Sequence, residues 1–321
     1  MPCTEENNDG ILTRSPTKTD KRSNYIVIHE SKQNIAALRQ LLSSQGLDGL
    51  IIPHTDEFGS EYLPPNAERL AWLTGFTGSS GAAVVLMDRA MVMTDGRYTI
   101  QIKQQVDQAL FEICDMADVT VGDWLAQHAR EGQVIGFDPK LHTKKQMDTI
   151  HDKINGSGIC LNSLKSNPID ALWWDRPADP VGGVEVFPDA VAGASSLEKR
   201  QRIAAQMRDN GVDSVVVTLS DSICWLLNIR GSDIDYNPVV LSYAILHAEG
   251  ACMDWYVDAR KVPVDVRAAL GDAERAPLCE GNERLSGDPR DHQGAEREDK
   301  LRRRLAFGHE LPGGACAGID P

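Results

Sequence analysis

The stretch "NIAALRQLLSSQGLDGLIIPHTDEFGSEY", Asn34 to Tyr62, changes its apolar period halfway along. Ile35, Leu38, Leu41 and Leu42 recur at helical spacing, which marks the buried face of a helix. Gly46 closes that helix, because glycine takes the left-handed backbone of a helix end without steric cost. "DGLIIP", Asp48 to Pro53, then reads as a short buried strand that Pro53 ends. A helix feeding a buried strand through a tight turn is a building unit of α/β sheets.

The unit returns about 165 residues later in "KRQRIAAQMRDNGVDSVVVTLSD", Lys199 to Asp221. Gly46-Leu-Asp48 has its counterpart in Gly211-Val-Asp213. Trp72 of "RLAWLTGFTGSSG" is matched by Trp225 of "SICWLLNIRGSDI", each in a short amphipathic helix that runs into a glycine-bearing turn. An apolar strand follows each turn: "AAVVLM", Ala82 to Met87, and "VVLSYAIL", Val239 to Leu246. "TDGRY", Thr94 to Tyr98, is echoed by "VDARK", Val257 to Lys261. Five correspondences in one order predict an α/β fold of two homologous domains, each a mixed sheet flanked by helices.

The first copy continues through strands at "FEICDM", "QVIGFDP" and "GICLNSL" and helices at "VGDWLAQHA" and "TKKQMDTIHDKI". The expected organisation is a disordered polar arm over 1–25, domain I over 26–167, and a Pro- and Gly-rich linker over 168–194. Trp173 and Trp174 are expected to anchor that linker to a domain surface. A partial domain II follows over 195–272, and then a tail over 273–321 in which Gly, Pro and charge dominate. Its apolar area is too small to offset an ordering cost of about 1–2 kcal/mol per residue for the backbone, so the tail is read as disordered and the second domain as truncated.

A formal charge of −14 argues against a phosphate-backbone partner, which needs a basic face. Seven scattered cysteines, an odd number without a C-x-x-C pair, predict neither a complete disulfide framework nor a structural zinc site. The start has no apolar core of a signal peptide, and no apolar run reaches membrane-spanning length. The expected location is the cytoplasm, with no nucleic-acid and no membrane partner. Eight histidines include no H-E-x-x-H and no pair at i, i+4, so no metal ligand is assigned.

"GFTGSSG", Gly75 to Gly81, lacks the G-K-[ST] ending of a phosphate loop and precedes its strand, so it reads as a helix-to-strand turn. Ser79 and Ser80 have no paired base and are not assigned as nucleophiles. "MVMTDGRYTIQIKQQ", Met91 to Gln105, starts as a strand and ends as a helix. Ligands of open α/β sheets bind at the carboxyl ends of strands, where this turn lies. Two readings of it stand. In one, Asp95 caps the next helix, Gly96 supplies a positive φ, and Arg97 is a surface charge or an Asp95 partner. In the other, Arg97 meets a carboxylate or a peptide carbonyl.

"SEYLPPNAERLAWLTGFTGSSGAAVVL" followed by "TDGRYTIQIKQQVD" resembles the creatinase-type N-terminal domain of Xaa-Pro aminopeptidases. "LSDSICWLLNIRGSDIDYNPVVLSYAIL" resembles the second, repeated domain of their three-domain members, and the likeness spans about Asn34 to Leu270. The resemblance implies release of an N-terminal residue that precedes proline. It also implies a third, pita-bread domain holding two divalent metal ions, commonly manganese, that activate water. No segment here resembles the metal-ligand strands, so no catalytic or metal residue is transferred, and no cofactor is expected in this chain. Arg97, with Asp95 and Tyr98 positioning it, is transferred as the substrate-contact group. A proline-containing peptide substrate in full-length relatives, and a homodimer through domain I, are the implied partners. The expected function is that of the N-terminal portion of such a peptidase, inactive alone. The alternative is a non-catalytic protein-binding or dimerisation module related to the peptidase-like region of a histone chaperone.

Overall fold

A computed structural model of the protein describes residues 18–271, with side chains from residue 30 onward. The expected tail over 273–321 lies outside the described residues. In the first lobe, helix α1 (Lys18–Ser44) leads into strand β1 (Gly49–Pro53), and Gly46 between them takes φ 69°. The helix begins inside the stretch read as a polar arm. Helix α2 (Arg69–Thr74) follows, then the hairpin β2 (Ala82–Leu86) and β3 (Ala90–Thr94), and helix α3 (Thr99–Gln105). Strand β4 (Glu112–Asp115), helix α4 (Val121–His128), β5 (Val134–Phe137), α5 (Lys144–Ile154) and β6 (Cys160–Ser163) complete the sheet. Its order is β4-β3-β2-β1-β5-β6. The β1–β2 and β2–β3 pairs are antiparallel, and β3–β4, β1–β5 and β5–β6 are parallel, so the sheet is mixed.

Strands β1, β2, β3 and β5 are buried on both faces of that sheet, which is why they read as apolar runs and not as alternations, while the outer strands β4 and β6 are partly exposed. Leu50 and Ile52 of β1 face a core shared with Ile35, Leu38 and Leu42 of α1, while Ile51 faces Trp124 of α4 and Ile150 of α5. Burying each such aliphatic side chain contributes roughly 1.5–3 kcal/mol. Thr120 at the start of α4 and Thr143 at the start of α5 each close a capping box with the residue three positions on.

Helix α6 (Pro168–Leu172) lies in the stretch read as linker, yet its Ile169 is fully buried in the α1 core. Arg69 of α2 grips Asp170 of α6 with bonds of 2.6 and 3.0 Å. Trp173 stacks on Trp72 with centroids 6.1 Å apart, as an anchor should. Trp174 does not; it is almost wholly exposed.

The second lobe opens with β7 (Glu185–Val186), α7 (Asp189–Ala192) and α8 (Ser196–Asp209), followed by β8 (Ser214–Val217), α9 (Ser220–Leu227) and β9 (Ile229–Arg230). It ends with β10 (Tyr243–His247), β11 (Met253–Tyr256) and α10 (Val264–Leu270). Its main sheet, β11-β10-β8, reproduces the β3-β2-β1 portion of the first. The register is the same: Ala83 faces Val92 and Val84 faces Met91, as Ala244 faces Trp255 and Ile245 faces Asp254. Among the described residues nothing pairs with the outer edge of β8, and Val216 is 42% exposed where the equivalent Ile51 is 3% exposed. The strand expected from Val239 begins only at Tyr243. The Val240 and Leu241 amides donate instead to Cys224 Sγ and to Asp233 Oδ2 at 2.7 Å, which withholds them from the ladder.

Candidate functional site: the Asp-x-Arg turn at the end of a strand

The first lobe delivers its charged turn where β3 and β4, a parallel pair, both end. Thr94, the last residue of β3, donates its hydroxyl to the Ser80 carbonyl at 2.7 Å and fixes the strand end against the glycine-rich turn. The chain then reverses, with the Tyr98 amide on the Asp95 carbonyl at 3.1 Å. Asp95 Oδ1 accepts the Arg97 amide at 3.0 Å, and the Asp95 carboxylate also takes Arg97 Nε at 3.0 and 3.2 Å and Nη2 at 2.8 Å. Hydrogen bonds from the Arg97 side chain, then from Ser80, hold the Asp95 carboxyl well below the usual carboxylate range, and Arg97 is raised in turn.

Tyr98 is the platform under this pair. The Arg97 guanidinium carbon lies 5.2 Å from its ring centroid, a cation–π distance. The ring meets Phe76 edge-on at 5.9 Å, and the hydroxyl pairs with Ser79 Oγ at 2.7 Å. Arg97 stays half exposed, and its Nη1 reaches only Glu61 at 3.5 Å. That edge of the guanidinium is therefore accessible to an incoming carbonyl or carboxylate oxygen.

Asp95, Arg97 and Tyr98 are thus brought together. Two details differ from the sequence reading. Asp95 caps no helix, because its carboxylate is engaged by Arg97 and Tyr98 stands at the N-cap of α3 without a side-chain bond. Gly96 does not take a positive φ, since it occupies a turn closed by the Asp95–Tyr98 backbone bond. Ser79, read as no nucleophile, has its hydroxyl in the Tyr98 pair. Glu61 and the Ser79–Tyr98 pair escaped the sequence reading, because only folding brings residues so far apart into contact.

The echo "VDARK" builds the same turn in the second lobe. Asp258 Oδ1 accepts the Arg260 amide at 2.9 Å, and Arg260 Nε and Nη2 reach the Asp258 carboxylate at 3.0 and 2.6 Å. In place of Tyr98 stands Lys261, whose buried Nζ lies 2.8 Å from Asp233 Oδ2. Among the described residues no group of three or more His, Cys, Asp or Glu could hold a metal ion, so a dinuclear pair finds no fit there. The Asp-x-Arg turn offers a hydrogen-bond donor over an aromatic floor, and its Asp95 carboxylate and Ser79 and Tyr98 hydroxyls are taken up by contacts within the turn.

Models of the creatinase/prolidase N-terminal domain match residues 34–165 and again residues 175–286. The chain belongs to this family and carries two of its domains. A protein of Ajellomyces dermatitidis named "Probable Xaa-Pro aminopeptidase P" is 37% identical over 246 residues, 76% of this chain and 40% of the relative. One of the same name from Aspergillus niger is 35% identical over 245 residues, 75% of this chain and 40% of the relative. The chain therefore spans about 40% of the length of the curated relatives it matches. Among solved structures, the X-prolyl aminopeptidase of Caenorhabditis elegans, described as a cytosolic enzyme with a di-nuclear active site, superposes with a TM-score of 0.76. The match has 29% identity and covers 85% of this chain and 45% of that one. No helix among the described residues is long and apolar enough to cross a membrane.

Proposed function

We propose that this chain is the N-terminal, substrate-guiding part of a cytoplasmic Xaa-Pro aminopeptidase and does not hydrolyse Xaa-Pro peptides by itself. The observation that carries the reading is the joint match of both lobes to the C. elegans enzyme, across 85% of this chain but 45% of the enzyme. The described residues provide no set of ligands for the two metals, manganese by the family resemblance, that such chemistry uses. In this reading Arg97, held by Asp95 and floored by Tyr98, donates to a carbonyl or carboxylate of the proline-containing peptide as it enters a cleft whose other wall lies in another part of the enzyme.

The test is an assay of the purified chain on a Xaa-Pro peptide with added manganese, where release of the first residue should not exceed the blank; metal-dependent turnover overturns the reading. A chimera that continues this chain with the remaining part of the A. dermatitidis relative tests Arg97. Losing one charge-assisted bond, worth about 1.5–3 kcal/mol, should raise KM about tenfold or more in Arg97→Ala with kcat little changed. An unchanged KM would remove Arg97 from the substrate path.

A further inference from the structure

We propose that the open edge of β8 is the surface through which a second copy of this chain binds, so that two second lobes join edge to edge in one continuous sheet. The lobes differ plainly at this strand. In the first, β1 pairs with β2 on one side and β5 on the other, and Leu50 and Ile51 are 1% and 3% exposed. Their counterparts in β8, Val215 and Val216, are 39% and 42% exposed, and Val212 and Leu219 beside them are exposed too. Among the described residues only β10 pairs with β8. Unpaired N–H and C=O groups beside a bare run of valines are a template for another strand. The other edges of the two main sheets carry polar or charged side chains: Glu112 and Asp115 on β4, Asn162 and Ser163 on β6, and Asp254 on β11.

The register points to an identical strand as the occupant. The Ala248 amide donates to the Asp213 carbonyl at 2.9 Å, and β10 runs antiparallel to β8 with Leu246 opposite Val215 and Ala244 opposite Val217. In such a ladder alternate residues turn both backbone groups to the same side. Asp213, Val215 and Val217 therefore turn theirs to β10, while Ser214 and Val216, and Thr218 just after them, turn theirs outward. Two copies related by a two-fold axis through Val216 match these outward groups. Val216 then meets its own counterpart, and Ser214 meets Thr218, hydroxyl beside hydroxyl. On the opposite face Val215 meets Val217. Asp213, the sole charged residue from 212 to 220, meets Leu219, and the two Asp213 carboxylates fall at opposite ends of the ladder, so no like charges face each other. No foreign strand is needed to satisfy the edge. The joined sheet has six strands, β11-β10-β8 and the same three in reverse, the number that the first lobe reaches by itself.

This pairing places self-association in the second lobe, whereas the family resemblance implies a homodimer through domain I. It depends neither on Arg97 nor on the peptidase reading.

Sedimentation equilibrium of the full chain at physiological salt, which screens the −14 charge on each copy, tests the edge. The chain should be a monomer with β8 open at low micromolar concentration. It should pass to a dimer with half-association at roughly 10–100 µM, as a small interface allows. Val216→Lys sets like charges on the two-fold axis, and Thr218→Pro removes an outward amide that β10 does not use. Each should weaken association about tenfold or more, with the thermal midpoint of the dilute variants showing that they fold. Val216→Cys gives a sharper reading. Opposed residues of a hydrogen-bonded antiparallel pair lie about 5.5 Å apart at Cα, within disulfide reach, so this variant should form a covalent dimer under mild oxidation. Ser214→Cys should not, because its counterpart lies four residues along the strand, about 13 Å away. The parent chain, with its own seven cysteines, sets the background. A chain that stays monomeric at about 0.5 mM, as it would if a different strand takes the edge, overturns the proposal. So does a dimer that neither Val216→Lys nor Thr218→Pro weakens, or one that Ser214→Cys cross-links as readily as Val216→Cys.

Discussion

Gly78 lies beneath the Phe76 and Tyr98 rings at a separation that no side chain permits: an added Cβ would sit 2.3 Å from Phe76 Cζ and 2.9 Å from Tyr98 Cγ. Gly78→Ala must move one ring, and with it the floor under Arg97. The expected cost is about 1–3 kcal/mol, read as a lower urea midpoint; an unchanged midpoint would show that the rings yield freely. At this scale the site was half legible. Asp95, Arg97 and Tyr98 stand within four positions of one another, so the motif "TDGRY" announces them together. Ser79 and Glu61 reach them only through the turn after α2 and the loop after β1, and no local pattern links residues so far apart. The seven-residue run "GFTGSSG" showed a turn, but not that its middle glycine is the one pressed against two rings.

Elements were easier to read than contacts. The inner first-lobe strands β1, β2, β3 and β5 follow from apolar runs buried on both faces, and the repeated helix–Gly–Asp–strand unit locates β8 from β1. The strand over Val239–Leu246 was misread at its start, because apolar character cannot report that Asp233 and Cys224 take the backbone amides first. The two equivalent strands now predict unequal responses. Ile51→Ala opens a cavity between β1, α4 and α5 and should cost about 2–5 kcal/mol. Val216→Ala, at an edge position open to solvent, should cost less than about 1 kcal/mol. Paired denaturation curves measure both, and similar losses would mean that β8 is covered in solution.

Across the whole molecule, the segment from His54 to Arg69 is the seam between the lobes. Tyr243 donates its hydroxyl to the Glu57 carbonyl at 2.9 Å and packs on Phe58 at 4.7 Å, while Asn66 binds Asp179 at 2.6 Å. Glu68 makes this seam sensitive to pH. Its carboxyl titrates at about 6 in place of the ordinary 4.5, because burial disfavours the charged form. The folded chain therefore keeps a proton that the unfolded chain has already lost, and the stabilisation present below 4.5 disappears as the pH rises through 6. The shift corresponds to at most about 2 kcal/mol, and solvent screening of a side chain 34% exposed reduces it to about 1 kcal/mol. Relative to Glu68→Gln, the parent should lose that amount between pH 4.5 and 7. His54, lowered by burial, acts with the opposite sign but is present in both proteins. A difference that stays flat over this range would show that Glu68 titrates normally. No sequence pattern foretold the seam, since burial of an isolated Glu or His depends on how two lobes meet.

The doubled turn also bears on how the two copies diverged. Where one lobe joins Tyr98 to Ser79 through hydroxyls, the other joins Lys261 to Asp233 through full charges that water scarcely reaches. Introducing either ion first strands it in a dry interior, a penalty of several kcal/mol. In the register that matches Trp72 to Trp225, Asp233 stands where the first lobe has Ser80, and in the register of the two Asp-x-Arg turns Lys261 stands where it has Tyr98, so replacing either member of the ion pair alone leaves the other's charge buried.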